Sequence, residues 1–386
     1  MCYFLYNRFQ RERMAFIWNI LILLLVFYSG IIFYLLIKLQ KPTTRKLYHD
    51  QKDTSFPGVS IVIPFRNEAS NLLKLLISLE KQKYEGKYEI LLVNDCSTDN
   101  YNEILSSNKW TCPIKVIDSV FSETHQLTSK QQALDSGIKA ANFDWIACTD
   151  ADMVLEPTWL FSLIQPALAG ADLVFGHTTL CPNPALKLFR WFQAFQLELL
   201  FAIAYSFNNA GISGSCMGNN MLLSRKAYTE IGGFSAIGYS IVEDRDLLTA
   251  FRRKHFRVVT TEPFSATATT SDAPSPAEYF HQLLRWVYGG FRRNSTLSFF
   301  GILLSVQNIL FVLAMLKTLP DTVALVTCGN FLLTCIFIFV TFRTIKSNQQ
   351  PLLFLPFYPL FLLESVVLMI SLVFKKTVIW KGRRIA

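Results

Sequence analysis

The chain has 386 residues, of which 51% are hydrophobic, and its formal net charge is +9. This composition is too apolar for an ordinary soluble protein and excludes a wholly soluble chain. The positive charge does not indicate a nucleic-acid partner, because the basic residues lie beside apolar stretches, which favours anionic lipid headgroups and cytoplasmic loops. These residues are Lys38, Lys41, Arg45, Lys46, Arg285, Arg292, Arg293, Lys375, Lys376, Lys381, Arg383 and Arg384.

The first predicted element is an uncharged apolar helix over residues 15–37. At ~1.5 Å per residue it is long enough to cross a hydrocarbon core of ~30 Å. Arginines precede it, as in a signal peptide, but the apolar run is too long and no small-residue cleavage site follows. We therefore interpret residues 1–47 as a transmembrane anchor.

Residues 48–275 form the predicted soluble domain, in which strand and helix patterns alternate. Leucines at helical spacing follow the first strand, and another helix starts at Lys130. The alternation predicts an α/β fold with a mainly parallel sheet and right-handed crossovers. Apolar runs typical of buried strands occupy residues 59–63, 88–93, 114–117 and 144–148.

Aspartates follow two of these strands: Asp95 comes after the second, and Asp150 and Asp152 after the fourth. Ligands of open α/β sheets bind beyond the carboxyl ends of the strands. Paired carboxylates there suit a divalent cation such as Mg²⁺ or Mn²⁺ together with the phosphates of a substrate. Either loop alone is equally consistent with an acidic surface turn.

Residues 276–297 are predicted to form an amphipathic helix at the membrane interface, because apolar side chains repeat there at helical spacing. Residues 298–386 form a predicted C-terminal transmembrane region, with apolar stretches at about 299–319, 322–342 and 351–374. The last stretch contains three prolines and Glu364. We therefore expect it to re-enter the membrane or to form a broken hairpin that keeps the basic tail inside.

Two further segments of the domain have an unusual composition. The polar, glycine-rich residues 213–220 predict a loop near an acceptor site, since glycine allows close backbone approach. The apolar and aromatic run over residues 189–207 is either core or an interfacial element.

Seven motifs follow one another in a fixed order: IVIPFRNE, LLVNDCSTD, SKQQALDSGIKAA, CTDAD, IGGF, VED and QLLRW. Each is weak alone, but the ordered set resembles the inverting family 2 glycosyltransferases of GT-A fold. It is most similar to their membrane-anchored branch, which includes ceramide glucosyltransferases and the cellulose, chitin and hyaluronan synthases. The resemblance covers about residues 59–290. It departs from the family at Ser129, where glycine is usual, and at Val242, where threonine is usual.

The resemblance implies a site for a nucleotide-sugar and a divalent metal, Mg²⁺ or Mn²⁺. Asp152, with Asp150 alongside, would hold the metal. The nucleotide-sugar would contact Pro64, Glu68, Asp95, Lys130 and Asp150. For Glu68 and Lys130 the alternative is an ordinary helix N-terminal charge or a solvated side chain.

The resemblance also implies a catalytic base, Asp244, with Glu243 as a supporting carboxylate. The alternative is an acidic helix N-terminus favoured by the helix dipole. Gln282, Arg285 and Trp286 would line the acceptor end and contact the diphosphate. The alternative for them is an interfacial helix with an ordinary aromatic anchor.

The implied function is inverting transfer of a sugar, UDP-linked, to a membrane lipid or lipid-linked acceptor. The implied protein is integral to a bacterial inner membrane, with its catalytic domain facing the cytoplasm and no nucleic-acid partner. A processive polysaccharide synthase is the alternative within the class. A catalytically silent membrane scaffold with a relic sugar-nucleotide fold is the alternative from another class, and the presence of all the expected carboxylates argues against it.

Overall fold

The computed structural model describes residues 2–39, 56–119, 127–180, 188–262, 265–273, 275–291, 296–373, 379–380 and 383–384. The strands are β1 Val59–Phe65, β2 Tyr88–Asn94, β3 Ile114–Asp118, β4 Trp145–Thr149, β5 Val154–Leu155, β6 Leu173–Phe175, β7 Thr178–Leu180, β8 Asn220–Ser224, β9 Val258–Thr260, β10 Ala268–Thr270, β11 Ile379–Trp380 and β12 Arg383–Arg384. The helices are α1 Cys2–Leu39, α2 Ala69–Glu80, α3 Tyr101–Ser106, α4 Ser129–Ala140, α5 Trp159–Leu168, α6 Leu188–Asn209, α7 Arg225–Glu230, α8 Gly233–Ile237, α9 Glu243–Arg253, α10 Pro276–Phe291, α11 Thr296–Met315, α12 Asp321–Thr344 and α13 Phe354–Val373, with a short 3-10 helix at Pro351–Leu353 before α13.

A seven-stranded sheet in the order β3-β2-β1-β4-β8-β6-β9 forms the centre of the domain. β1 pairs in parallel with β2 and β4, and β2 pairs in parallel with β3. β8 runs antiparallel to both β4 and β6. The prediction of an α/β fold with a mainly parallel sheet is confirmed. A second sheet, β5-β10-β7, lies beside the central one.

Both faces of the central sheet are covered, which explains why its strands read as continuous apolar runs. In β1, the buried Ile61 and Ile63 pack into a core with α2 and α5. The intervening Val62 faces the opposite core, which includes α4 and α6. This alternation follows the two-residue period of a strand. The helices cover the two faces of the sheet, so polar side chains can lie at the ends of its strands.

The helices on the site side begin where their sequence provides a cap. Thr128 and Gln131 form a capping box at the start of α4, satisfying backbone N–H groups that would otherwise lack partners. The predicted start at Lys130 is therefore one residue inside the observed helix. In α2 the leucines at helical spacing are buried against the sheet, as predicted.

Apolar helices from the two ends of the chain pack together. Tyr28 of α1 shares a hydrogen bond of 2.7 Å with Thr334 of α12 and stacks on Phe300 of α11. By length and composition, Glu12–Leu39 and Asp321–Thr344 can cross a membrane. Among the described residues, the apolar helical segments Phe299–Met315 and Pro351–Val367 are shorter.

The structure tests two of the predictions made from the sequence for apolar segments. The expected broken hairpin is wrong, because Phe354–Val373 is one continuous helix that contains Pro359. Re-entry of this stretch into the membrane stays a prediction. The run over 189–207 belongs to α6, whose Phe195 is fully buried and packs against Phe342 of α12 at 5.1 Å between ring centroids. α6 is thus core between the sheet domain and the apolar helices.

The predicted domain limits stay a prediction. The limit at residues 47–48 lies outside the described residues. So do many of the basic residues that flank the apolar spans: Lys41, Arg45, Lys46, Arg292, Arg293, Lys375, Lys376 and Lys381.

Candidate active site

The carboxyl ends of β2 and β4 bring the predicted aspartates to one edge of the sheet. Asp95 directly follows β2 and Asp150 directly follows β4, and both strands run parallel to β1 between them. The Asp95 side chain is almost fully buried, and its backbone N–H donates to the carbonyl of Phe65 at 2.9 Å. Phe65 is the last residue of β1, so this bond ties the first acidic loop to the sheet edge.

Asp150 and Asp152 occupy different surroundings although they are two residues apart. Asp150 forms an ion pair of 2.9 Å with Lys130, whereas the Asp152 carboxylate accepts a hydrogen bond of 2.9 Å from Thr270 Oγ1. Burial raises the pKa of Asp152, and the negative charge of Asp150 raises it further. A cation would relieve this repulsion, so the carboxylate pair fits a divalent metal.

The pair does not by itself complete a metal site. Among the described residues, no three His, Cys, Asp or Glu side chains converge closely enough to hold a metal ion. Mg²⁺ and similar ions are usually held by one or two carboxylates, with substrate phosphates and water filling the remaining positions. The arrangement matches that pattern.

Lys130 links the two acidic motifs. Its Nζ lies 2.9 Å from Asp150 Oδ1 and also 2.9 Å from Glu243 Oε1, and its side chain is 20% exposed. Burial alone would lower the pKa of Lys130, but the charges of Asp150 and Glu243 outweigh that effect and raise it above the ordinary lysine value. Lys130 is therefore a permanent positive charge between the Asp-x-Asp turn and the first turn of α9.

Asp244 lies next to this ion-pair network. Its carboxylate accepts hydrogen bonds from the backbone N–H groups of Gly218 at 2.9 Å and Arg245 at 2.7 Å. Burial raises the pKa of Asp244 to about 6, and the charge of Glu243 contributes in the same direction. A carboxylate with such a pKa is ionised at neutral pH and is still basic enough to take a proton.

The glycine-rich loop contacts Asp244 directly. A Cβ atom added at Gly218 would lie 2.6 Å from the Cβ of Asp244. Only glycine allows this approach, and the backbone N–H of the same residue holds the carboxylate. The loop that the sequence predicted near an acceptor site therefore supports the candidate base.

Sequence reasoning missed the residues that fix α9 and Asp152. Gln131 donates to the carbonyl of Gly238 at 2.9 Å and accepts from the backbone N–H of Ser240 at 3.0 Å. This joins the start of α4, next to Lys130, to the loop preceding α9. The Thr128-x-x-Gln131 capping signal was readable in the sequence, but these distant partners were not. Nothing in the sequence singled out Thr270.

Pro64 and Glu68 lie at the same edge. Pro64 is paired in register with Val93 near the end of β1. Glu68 precedes α2, and its Oε2 accepts a hydrogen bond of 2.7 Å from Asn71. The charge of Glu68 is one of the smaller contributions to the raised pKa of Asp152, after burial and the charge of Asp150. The contact of Pro64 and Glu68 with a nucleotide stays a prediction.

Gln282, Arg285 and Trp286 are half-buried on α10. This helix packs against α11 and α13 and so belongs to the apolar side of the molecule. The roles predicted for these three residues stay predictions.

Known proteins resemble this chain in sequence and in fold. Residues 60–232 match the family model described as Glycosyl transferase family 2. A poly-beta-1,6-N-acetyl-D-glucosamine synthase of Staphylococcus epidermidis is 32% identical over 136 residues, which are 35% of this chain and 31% of that protein. The synthase of Staphylococcus aureus strain COL is 30% identical over 108 residues, which are 28% of this chain and 25% of that protein. The match thus spans about a third or less of the length of these relatives.

Among solved structures, a mannosyltransferase from Pyrobaculum calidifontis in complex with GDP-Man and Mn²⁺ superposes with a TM-score of 0.52. It is 14% identical in sequence, and the superposition covers 92% of this chain and 99% of that one. At this identity the likeness concerns the fold. The family match makes residues 60–232 a family 2 glycosyltransferase domain, and the superposition shows that the chain has a GT-A fold.

Proposed function

We propose that this protein transfers a sugar, with inversion, from a nucleoside-diphosphate sugar, UDP-linked, to a hydroxyl group of a membrane lipid or lipid-linked acceptor. The observation that carries the proposal is the position of Lys130 between Asp150 and Glu243, at 2.9 Å from each. It joins the motif expected to hold the donor diphosphate to the motif expected to activate the acceptor. Both halves of the reaction thereby share one site.

The donor side uses the edge of the sheet. The buried Asp95 is suited to accept hydrogen bonds from the nucleobase or ribose, and we propose that Glu68 and Pro64 also contact the nucleotide. Asp150 and Asp152 would hold a divalent metal, Mg²⁺ or Mn²⁺, which when bound neutralises charge on the departing diphosphate. Lys130 adds a fixed positive charge at the same place.

The acceptor side uses Asp244 as general base. As the acceptor oxygen forms its bond to the anomeric carbon, the bond from that carbon to the diphosphate oxygen breaks on the opposite face. The hydroxyl proton passes to the Asp244 carboxylate, which the backbone N–H groups of Gly218 and Arg245 hold in place. A positioned base of this kind contributes about 10²–10⁴ in rate. Glu243 is engaged by Lys130 and so supports rather than replaces Asp244.

The acceptor is proposed to be a lipid because apolar helices flank the domain. α10, which carries Gln282, Arg285 and Trp286, packs on α11 and α13 at the apolar side of the molecule. An arginine there can stabilise a diphosphate through two hydrogen bonds, and a tryptophan offers a flat face to a sugar ring. We place the protein in a bacterial inner membrane, with the catalytic domain facing the cytoplasm.

A processive polysaccharide synthase is the second candidate. The staphylococcal relatives named above are synthases of a polymer of N-acetyl-D-glucosamine, and that likeness favours this alternative. Product length distinguishes the two, because a lipid glycosyltransferase adds one sugar whereas a synthase extends a chain.

The test is release of nucleoside diphosphate by the full-length protein in detergent, with Mn²⁺ or Mg²⁺, a panel of UDP- and GDP-sugars, and extracted lipid. Lipid-stimulated release from one donor, absent in Asp244→Asn, supports the proposal, and mass analysis of the product gives its length. Measurable donor binding without release from any donor would contradict it and favour a silent scaffold.

A further inference from the structure

The helix α13 carries a carboxylate in an otherwise apolar sequence, and that carboxylate joins three elements. Glu364 Oε1 accepts a hydrogen bond of 2.7 Å from the Tyr279 hydroxyl of α10. Its Oε2 accepts one of 2.7 Å from Gln196 Nε2 of α6. A carboxylate in apolar surroundings is costly unless its oxygens accept hydrogen bonds. Here each oxygen has a donor, and the donors come from two different helices.

Tyr279 is buried and has contacts at both its hydroxyl and its ring. Its side chain is 6% exposed, and its ring packs edge-on against Phe189 and Phe192 of α6, with centroids 5.4 Å and 6.2 Å away. Tyr279 precedes Gln282 by three residues and Trp286 by seven, so the three lie along one stripe of α10. The hydroxyl contact with Glu364 therefore fixes the rotation of the helix that carries the QLLRW motif.

We propose that Glu364 is a positioning residue for sugar transfer. Through Tyr279 it sets the orientation of α10, and with it Arg285 and Trp286, relative to the carboxylates of the sheet domain. Through Gln196 it ties the same point to α6, which packs between that domain and the apolar helices. The inference rests on the proposed function, because it assigns α10 to the acceptor side of that reaction.

A purely structural contact between helices should not affect sugar transfer. A second hydroxyl contact on α13 provides the comparison. Tyr358, also on α13, donates its hydroxyl to the backbone carbonyl of Asn308 on α11 at 3.1 Å. That bond joins two apolar helices without involving α10. Tyr279→Phe and Tyr358→Phe therefore each remove one hydroxyl contact between helices, but only the first concerns the QLLRW helix.

The experiment uses the full-length protein in detergent and measures sugar transfer, donor binding by titration calorimetry and thermal unfolding. We expect Tyr279→Phe and Glu364→Leu to lower kcat by about tenfold, since small misplacements of a reacting group are costly. Donor binding should stay within about twofold, because the donor residues lie on the sheet. Tyr358→Phe should keep wild-type kcat.

Two further variants separate positioning from loss of fold. Glu364→Gln should restore most of the activity, because its amide oxygen can accept from Tyr279 and its NH₂ can donate to a flipped Gln196 amide. The double variant Tyr279→Phe/Glu364→Leu should lose no more activity than Glu364→Leu alone, because that single variant already removes the contact with Tyr279.

The inference is overturned if Tyr279→Phe and Tyr358→Phe have equal kcat, or if kcat falls only in step with thermal stability. It is also overturned if Glu364→Gln is as inactive as Glu364→Leu. A wild-type protein that binds donors but transfers no sugar would instead overturn the proposed function itself.

Discussion

The carboxylate end of the proposed site and its proposed acceptor end on α10 are held by different kinds of interaction. Lys130, Glu243 and the aspartates are joined by ion pairs and backbone N–H groups at the edge of a buried sheet. α10 is held by aromatic packing and by Glu364, a residue of an apolar helix. The first arrangement depends on charge, whereas the second depends on how the apolar helices pack.

If the proposed roles hold, this difference implies that donor chemistry and acceptor placement can be perturbed separately. Changes to charged residues should alter metal binding, pH dependence and turnover while leaving α10 in place. Changes in the apolar helices should alter acceptor use while leaving donor binding intact.

The largest effect is expected at the proposed base, Asp244. Asp244→Asn removes the proton acceptor, and its one amide oxygen can accept from only one of the two backbone N–H groups that bind the carboxylate oxygens. We expect kcat to fall by about a thousandfold, with donor binding unchanged by titration calorimetry. Asp144→Asn, which alters an exposed carboxylate of a surface ion pair, is the control and should keep full activity. An equal loss of donor binding in Asp244→Asn would contradict the role of base.

Asp152→Asn tests the metal at the donor side. The change removes one of two neighbouring carboxylates, and we expect Mn²⁺ affinity in the presence of UDP to fall by at least about tenfold and kcat by about a hundredfold. The metal-free protein should unfold at the same or a higher temperature, because a buried carboxylate with a raised pKa is lost. Unchanged Mn²⁺ affinity by calorimetry would place the metal elsewhere.

Lys130→Met tests the link between the two acidic motifs. It leaves Asp150 and Glu243 close together without their shared cation, and we expect a loss of about 2 kcal/mol or more in the free energy of unfolding. Activity should fall by at least about tenfold. The matched control is Lys139→Met, because Lys139 pairs with Asp135 but is 69% exposed. That pair should contribute under about 0.5 kcal/mol. Equal effects of the two substitutions in urea unfolding would refute the bridging role.

The sequence predicts the carboxylate end better than the α10 end, for a physical reason. Asp95, Asp150 and Asp152 follow strands, and parallel strands that share a sheet bring their carboxyl ends to one edge. The local pattern of a strand followed by an aspartate is therefore sufficient to predict most of the carboxylate end.

The supporting contacts could not be predicted because their partners are distant in the chain. Thr270 lies 118 residues after Asp152, and Gln131 is 109 residues from Ser240. The same holds for Glu364, which is 85 residues from Tyr279. The sequence shows a lone acidic residue among apolar ones and suggests a break in the helix, whereas the structure supplies donors that make a continuous helix tolerable.

Gly218→Ala should act on the base through the backbone. The added Cβ would meet Asp244 at 2.6 Å, so the loop or the carboxylate must shift. We expect kcat to fall by about tenfold, with little change in Mn²⁺ affinity. Gly30→Ala in α1 is the control, because a Cβ there meets nothing within 4 Å. Full activity in Gly218→Ala would show that the close approach is not needed.

The smallest expected effect is on stability as a function of pH. Folded Asp244 keeps its proton up to pH about 6, whereas its ordinary value is 3.8. Between these values the folded chain binds more protons than the unfolded one, so the Asp244 contribution to stability decreases as pH rises through this window. Asp244→Asn lacks that contribution, and its melting temperature relative to wild type should therefore rise from pH 4 to pH 7. Above pH about 6 the difference should level off. A difference independent of pH in metal-free thermal unfolding would show that Asp244 ionises as an ordinary exposed aspartate, and the base would then lack the tuning that its burial provides.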